Sequence, residues 1–306
     1  MAPARGARAV AASDPSMQSL VNILVLGSIY ALIACGYVIV YRTSRVLSLA
    51  HGELMMVGAF GLWVTIGLFS TLPLAAALAA LLLAALIGVA VYVALMRRMT
   101  GEAVLAAVLA TIALGILLRG LAVLIWGPTE RHPLAALGWD NPVFQLPAGA
   151  RISAIDASMI AAAVLCYAAL FAFLRFSPWG IRMRAAGQSP LLAAQRGISL
   201  HLIYALAWSI ATLTGGTAGM LLSLNTALDQ TMVVIGLKAF PAALVGGLDS
   251  LAGAILGALI IATAEVLVIQ FVSPLLADVV PFIVLLAMLI VRPWGLFGTR
   301  EELDRV

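Results

Sequence analysis

The chain has 306 residues, of which 64% are hydrophobic and 10% are charged, and its mean hydropathy is +1.14. A soluble domain carries about a quarter of its residues as charges, so this composition excludes a water-soluble fold and indicates that lipid is the solvent. The net charge of +4 comes without a basic cluster on a soluble segment, which argues against a nucleic-acid partner.

Apolar blocks of the length that a bilayer core requires, about 20 residues, recur along the chain. They are Met17–Tyr41, Val46–Phe69, Leu72–Met96, Ala103–Trp126, Ile155–Leu174, Leu202–Leu224, Leu251–Val272 and, more weakly because it contains Asp278 and Pro281, Leu275–Val291. We therefore predict an all-α membrane protein with about eight transmembrane helices, multi-pass in the inner (plasma) membrane.

Three segments complete the predicted organisation. Residues 1–16 contain no apolar stretch before Pro15, so they are not a cleavable signal peptide and we expect a disordered tail. Residues 17–298 form a single transmembrane domain, and residues 299–306 form a C-terminal tail.

Arginines predict the orientation of the helices. Arg42 and Arg45 follow the first block, Arg97 and Arg98 follow the third, and further arginines fill the loop 175–200 after the fifth. Loops rich in positive charge stay in the cytoplasm, so the first block crosses from outside to inside. The loop 127–153 then lies outside, where its four prolines and Trp139 favour an ordered cap.

The cytoplasmic loop 175–200 contains two short segments able to form helices, Ile181–Ala186 and Leu191–Arg196. Two interpretations remain open from these residues alone. The loop is either an ordinary basic segment against lipid headgroups or a docking surface for a cytoplasmic partner.

Two apolar segments are interrupted by glycine, at Ala50-His51-Gly52-Glu53 and at Val245-Gly246-Gly247-Leu248. Glycine-broken hydrophobic segments in opposite halves of a chain point to a transport pathway. We predict that His51, Gly52, Glu53, Gly246 and Gly247 line or gate this pathway, and that the two breaks approach each other. The segment 238–250 is too short to span and predicts a re-entrant or half-helix.

Few ionisable residues lie inside the apolar blocks, and such residues are functional candidates because burying charge is expensive. Glu53 either stabilises the start of a helix or lines the pathway. Arg119, near the outer end of its block, is expected to snorkel, and Glu265 to pair with a neighbouring helix. Gly253 and Gly257 have the GxxxG spacing of close helix packing.

The sequence contains no catalytic set, no metal-ligand spacing and no GxxxxGK[ST] phosphate-binding loop. It therefore predicts neither an enzyme nor a cofactor-binding protein. An autonomous secondary transporter or channel for a small polar solute remains the alternative to an ATP-driven transporter.

Several motifs carry a family resemblance. They are Gly27-Ser28-Ile29-Tyr30-Ala31-Leu32, Leu49-Ala50-His51-Gly52-Glu53, Gly236-Leu237-Lys238-Ala239-Phe240, Leu244-Val245-Gly246-Gly247-Leu248, Ala264-Glu265 and Arg292-Pro293-Trp294-Gly295. In this order they resemble the permease subunits of branched-chain amino-acid ABC importers, of the LivH type, over nearly the whole chain.

The resemblance implies an importer subunit that moves branched-chain amino acids, or solutes such as urea, short amides or aromatic acids. It implies four kinds of partner: a second, related permease subunit, two cytoplasmic ATPase subunits, an extracytoplasmic solute-binding protein and membrane lipid. Residues 191–198 are similar to the family's ATPase-coupling segment. The residues expected to couple are Arg182, Arg184, Ala193, Ala194, Arg196, Gly197 and Ile198, although residues 184–188 lack the acidic residue that many ABC permeases have there.

Overall fold

The computed structural model describes residues 15–69, 71–146 and 149–298. In this part of the chain, seven helices are long and apolar enough to cross a membrane by length and composition. They are α1 (Pro15–Ser44), α2 (His51–Leu68), α3 (Pro73–Val91) with its continuation to Met99, α5 (Val104–Trp126), α7 (Ala154–Phe176), α10 (Leu200–Asn225) and α12 (Leu251–Phe271). The predicted all-α membrane protein is confirmed, and α1 takes in residues 15 and 16 of the expected tail. The other tail residues, 1–14 and 299–306, lie outside the described ranges.

The remaining elements are short. The continuation of α3 is a π-helical turn (Tyr92–Met96) followed by α4 (Arg97–Met99). The loop 127–153 contains α6 (Pro133–Leu137) and an antiparallel pair, β1 (Val143–Gln145) and β2 (Arg151–Ser153). Helices α8 (Pro178–Gln188) and α9 (Pro190–Gln195) form the predicted pair of short helices in the loop 175–200. Serines cap both, because the Ser177 and Ser189 hydroxyls accept backbone N–H groups of the first turns.

The eighth apolar block is shorter as a helix than the sequence suggested. Only α13 (Val280–Val291) forms, preceded by a 3₁₀ turn at Pro274–Leu276. Its 12 residues rise about 18 Å, less than the roughly 30 Å of a bilayer core. The physical reason is that Asp278 stays outside the helix and forms an ion pair with Lys238 at 2.7 Å, while Pro281 stands in the first turn, where its missing N–H costs nothing.

The predicted half-helix is α11 (Met232–Gly246), which begins six residues before Lys238. Its 15 residues rise about 22 Å, so it too is short of a full span. It ends at Gly247, whose φ of 102° is a conformation that L side chains rarely adopt.

Helix α1 lies at the centre of the fold and packs against α7, α10, α11 and α12, while α2 packs against α3, α10 and α11. Small residues allow these helices to approach closely. A β-carbon added to Gly58 of α2 would clash with the backbone of Gly216 on α10, and one added to Gly257 of α12 would clash with the Ala242 carbonyl of α11. The close packing predicted from the GxxxG spacing is therefore confirmed.

Helix α5 lies at the periphery. Only 17% of its membrane-spanning window is buried within the chain, against 72% for α1. Its buried positions are Ala107, Thr111, Gly115 and Ala122, a narrow stripe that packs mainly on α2. Most of its surface is therefore available to lipid, to a partner subunit or to a water-filled space.

The three arginine-rich loops lie at one end of the helix bundle. Gly187 of α8 packs against the Arg42 carbonyl at the end of α1, and Arg45 forms an ion pair with Asp249 at 2.9 Å. A cavity of about 350 Å³ is bordered at this end by Arg45, Gly101 and Pro190, one residue from each loop. At the other end, Arg131 pairs with Leu228 through backbone hydrogen bonds.

The close contact between Gly58 and Gly216 yields a stability prediction. Gly58→Ala should lower the free energy of unfolding by about 1–3 kcal/mol, since the added methyl group meets backbone that cannot move alone. The matched control is Gly67→Ala in the same helix, where no atom lies within 4 Å of the new β-carbon. Thermal unfolding in detergent should show a lower Tm for Gly58→Ala only, and equal Tm values for both variants would contradict the packing.

Candidate functional site

The start of α2 lies inside the helix bundle and not at its surface. Gly36 of α1, which packs against the His51 ring, precedes the end of α1 by eight residues, or about 12 Å. The chain therefore leaves α1 at Ser44, turns at Arg45 with a φ of 55°, and returns into the bundle through residues 46–50. The predicted glycine break is this non-helical segment, and Gly52 itself is helical.

The returning segment is enclosed by protein, as irregular backbone at membrane depth must be. The Leu49 backbone N–H donates to the Thr111 hydroxyl of α5 at 3.1 Å. Ala50, Ser48 and His51 are buried. We call residues 46–53 the re-entrant segment.

His51 is fully buried among α1 and α10. Its ring lies 4.7 Å from the Tyr37 ring, between centroids, and beside Gly36, Ala211 and Gly215. Neither ring nitrogen has a hydrogen-bond partner of good geometry among the described residues, although the Ala211 carbonyl is close. A buried polar atom without a hydrogen-bond partner costs free energy.

Gly52 is the point of closest approach between α2 and α11. A β-carbon on Gly52 would lie 2.8 Å from the Val233 carbonyl oxygen, and one on Gly236 would clash with the Gly52 Cα. The Tyr37 hydroxyl donates weakly to the Gly236 carbonyl at 3.4 Å, so α1 joins the same contact. Larger side chains at either glycine would push α2 and α11 apart.

Glu53 lies in the first turn of α2 and forms an ion pair with Arg119 of α5, with 2.9 Å between Oε1 and Nη2. The Glu53 side chain is 11% exposed and the Arg119 side chain is 50% exposed. The Glu53 carboxylate also packs on Gly115, one helical turn before Arg119. Arg119 was expected to snorkel, but its guanidinium faces the Glu53 carboxylate. No sequence signal linked Arg119 with Glu53, because they are 66 positions apart.

Gly246 and Gly247 lie at the arginine-rich end, and they do not contact the re-entrant segment's glycine. Gly246 packs against Gly253, and Gly247 packs against Gly298 of the C-terminal segment. Backbone N–H groups of Leu296 and Phe297 donate to the carbonyls of Val245 and Gly246. Gly52 meets α11 at Gly236, ten residues or about 15 Å before Gly246, so the same helix carries both glycine features at different depths.

A second polar cluster lies between α1, α11 and α12. Lys238, the only lysine in the sequence, donates to Glu265 at 2.8 Å, and the Tyr30 hydroxyl donates to the other Glu265 oxygen at 2.6 Å. Lys238 also pairs with Asp278. The expected partner of Glu265 on a neighbouring helix is therefore Lys238, and the cluster fastens α11 to α12 and to the start of α13.

The residues expected to couple to an ATPase lie on α8, α9 and the turn that follows. Ala193 is buried, while Ala194, Arg196 and Gly197 are exposed, Gly197 with a φ of 77°, and Ile198 is half-buried. Arg182 lies over the Trp179 ring at 5.0 Å, and Arg184 borders a cavity next to Arg42. Sequence reasoning missed the exposed apolar side chains of these helices, of which Ile181, Leu191 and Leu192 are 52–70% exposed.

Comparison with known proteins assigns this architecture to a family. The family described as "Branched-chain amino acid transport system / permease component" matches residues 19–289. The high-affinity branched-chain amino acid transport system permease protein LivH of Salmonella typhimurium is 30% identical over 95% of this chain and 97% of its own length. LivH of Escherichia coli K12 is 29% identical over the same shares, and BraD of Pseudomonas aeruginosa is 30% identical over 95% of this chain and 98% of its own.

The described structure has a re-entrant segment inside the helix bundle and a pair of short helices at the arginine-rich end. The sequence match covers both of them, since it runs from residue 19 to residue 289. The chain therefore belongs to the family of branched-chain amino acid transport system permease components, as a pore-forming, multi-pass subunit of the inner membrane.

Proposed function

We propose that this chain forms the translocation pathway of an ABC importer for branched-chain amino acids or similar small solutes. It alternates between outward-open and inward-open states, and partner ATPases supply the energy, in keeping with a sequence that contains no GxxxxGK[ST] phosphate-binding loop. The observation that carries this proposal is the α8–α9 surface at the arginine-rich end of the bundle.

The α8–α9 surface consists of the exposed side chains of Ile181, Leu191, Leu192 and Arg196. Apolar side chains next to an arginine, on short helices outside the spanning bundle, suit a protein partner. Gly187 of α8 packs directly on the end of α1, and α1 runs through the centre of the fold. A displacement of α8 would therefore also displace α1, which contacts most of the other long helices.

The partners follow from the family's printed description as a transport system. We propose two ATPase subunits on the cytoplasmic side, a solute-binding protein on the other side and a second permease subunit, related but distinct. The loop 175–200 supplies the coupling surface, the loop 127–153 covers the outer mouth, and residues 17–298 act as one domain.

The re-entrant segment is the proposed pathway element within this domain. It brings His51, Gly52 and Glu53 to membrane depth, where unwound backbone is tolerated only in buried positions or along a cavity. The Gly246–Gly247 turn, about 15 Å away along α11, is the proposed pivot at the cytoplasmic end of the same helix.

Reconstitution tests the proposed function. Proteoliposomes containing this chain, its partner permease and the ATPases should take up L-leucine only when ATP and the loaded binding protein are both supplied. The purified chain alone should neither bind nor hydrolyse ATP. Hydrolysis by the homogeneous chain, or uptake driven by an ion gradient without ATPases, would refute the assignment.

Charge reversal tests the coupling surface. Arg196→Glu should weaken ATPase co-purification or uncouple ATP hydrolysis from uptake, because it places a carboxylate in a surface built of arginines and apolar groups. Arg151→Glu, an exposed arginine in β2 of the external loop, is the matched control and should leave ATPase binding unchanged. Full coupled uptake by Arg196→Glu would contradict the docking role.

Widening the α2–α11 contact tests the pathway. Gly52→Val should abolish uptake, because its side chain would meet the Val233 carbonyl and the backbone of Gly236. Gly67→Val in the same helix, where no atom lies within 4 Å of the β-position, is the control. Membrane insertion and complex assembly should persist in both variants, and wild-type uptake by Gly52→Val would exclude a role for this contact in transport.

A further inference from the structure

Arg119 is the only charged residue of α5, and it is half exposed in the outer half of a helix that otherwise presents aliphatic side chains. A guanidinium turned toward hydrocarbon is costly, so ionisable groups in spanning helices face protein interiors or water-filled cavities. The face of α5 that carries Arg119 therefore borders a polar space. Because this face also meets the start of α2, that space adjoins the re-entrant segment.

The ion pair with Glu53 leaves binding capacity on both partners. Arginine has five N–H donors in a planar fork, and among the described residues the Arg119 guanidinium donates only to Glu53 Oε1. The second Glu53 oxygen has no hydrogen-bond partner in the same part of the chain, and it packs against Gly115 in a side chain that is 11% exposed. An additional ligand can therefore reach a donor and an acceptor at once without breaking the pair.

The electrostatics of this position favour a ligand with both charges. The charges of Arg119 and Glu53 cancel, and the N-terminus of α2 adds the partial positive charge of a helix dipole. A carboxylate is thus attracted to the guanidinium fork, where two parallel hydrogen bonds give strength and direction. An ammonium group on the same molecule then meets the free oxygen of Glu53.

An aliphatic surface adjoins the charged pair. Ile116 lies three residues before Arg119, on the same face of α5, and is 69% exposed. Gly120, the next residue of α5, has no atom within 4 Å of its β-position, so this part of the helix surface is also open. This arrangement offers room for an apolar side chain next to an amino-acid headgroup.

We propose that Arg119 and Glu53 form a binding site for the zwitterionic headgroup of an aliphatic amino acid in transit, with Arg119 holding the α-carboxylate, Glu53 holding the α-ammonium and Ile116 contacting the side chain. The inference rests on the proposed function and deepens it, because it makes the permease itself, and not the binding protein alone, a determinant of which solute passes.

The test uses the assembled complex of both permease subunits and ATPases in lipid nanodiscs, without the binding protein. Equilibrium binding of radiolabelled L-leucine is measured in competition with two single-charge analogues. One is 4-methylpentanoate, which lacks the ammonium group, and the other is 3-methylbutylamine, which lacks the carboxylate. The variants are Arg119→Gln, Arg119→Lys and Glu53→Gln, and the matched control is Arg98→Gln in α4, an exposed arginine far from the pair in sequence.

The proposal predicts a selective pattern. Arg119→Gln and Glu53→Gln should each weaken leucine binding about tenfold or more, the loss expected for one charge-assisted contact. Arg119→Gln should in addition abolish competition by 4-methylpentanoate and spare 3-methylbutylamine, and Glu53→Gln should do the reverse. Arg119→Lys should retain part of the carboxylate binding, because it keeps the charge and loses the fork. Arg98→Gln should bind all three as the wild type does.

The outcomes separate this proposal from the one on which it rests. If the reconstituted wild type takes up no leucine, the proposed solute class is wrong. If the wild type transports leucine but its complex shows no leucine binding, or if Arg119→Gln transports and binds normally, only the headgroup site is refuted. A loss of all three ligands together, or of complex assembly, in both glutamine variants would show that the ion pair only joins α2 to α5, and would also overturn the site.

Discussion

The lack of hydrogen-bonding solvent in the bilayer interior is the constraint on which this structure depends. A helix satisfies the hydrogen bonds of its own backbone N–H and C=O groups, so the seven long apolar helices meet this constraint without outside partners. The re-entrant segment does not, since residues 46–50 are non-helical and return into the helix bundle. It is possible only because α5 supplies the Thr111 hydroxyl to the Leu49 N–H and because α1, α10 and α11 enclose the rest.

The same constraint divides the intramembrane charges into two kinds of site. Lys238 and Glu265 are both buried, and with the Tyr30 hydroxyl they satisfy each other, so they act as a fastening between helices. Leaving one partner of such a buried pair alone costs several kcal/mol, which favours a fixed arrangement. Glu53 and Arg119 are equally close, yet Arg119 is half exposed, so this pair lies at a boundary where a solute or water can compete for it.

Glycine allows a close helix contact beside the Glu53–Arg119 pair. The Gly52–Gly236 contact lets α2 and α11 touch through their backbones, with no side chains to interlock. Small residues of this kind let helix backbones approach closely. The α8 helix rests on the end of α1 through Gly187, at the arginine-rich end of the bundle.

The sequence by itself determined the lipid environment, seven of the eight predicted spans, the short helices of the loop 175–200 and the family. It could do so because each of these is written in local composition: apolar runs, loop arginines and contiguous motifs. It also identified the His51–Glu53 segment, because a histidine, a glycine and a glutamate inside an apolar block can be recognised without knowing what they contact. Only the tertiary structure decided how these features meet.

The structure paired Glu53 with Arg119 across 66 residues, Glu265 with Lys238 across 27, and kept Asp278 out of α13. It also placed Gly52 against α11 at Gly236, about 15 Å along the helix from Gly246. The prediction that the two glycine breaks approach each other was therefore wrong. The physical reason is that ion pairs and backbone contacts depend on the depth and rotation of each helix. Packing between helices fixes both, and no periodicity within a single helix encodes either.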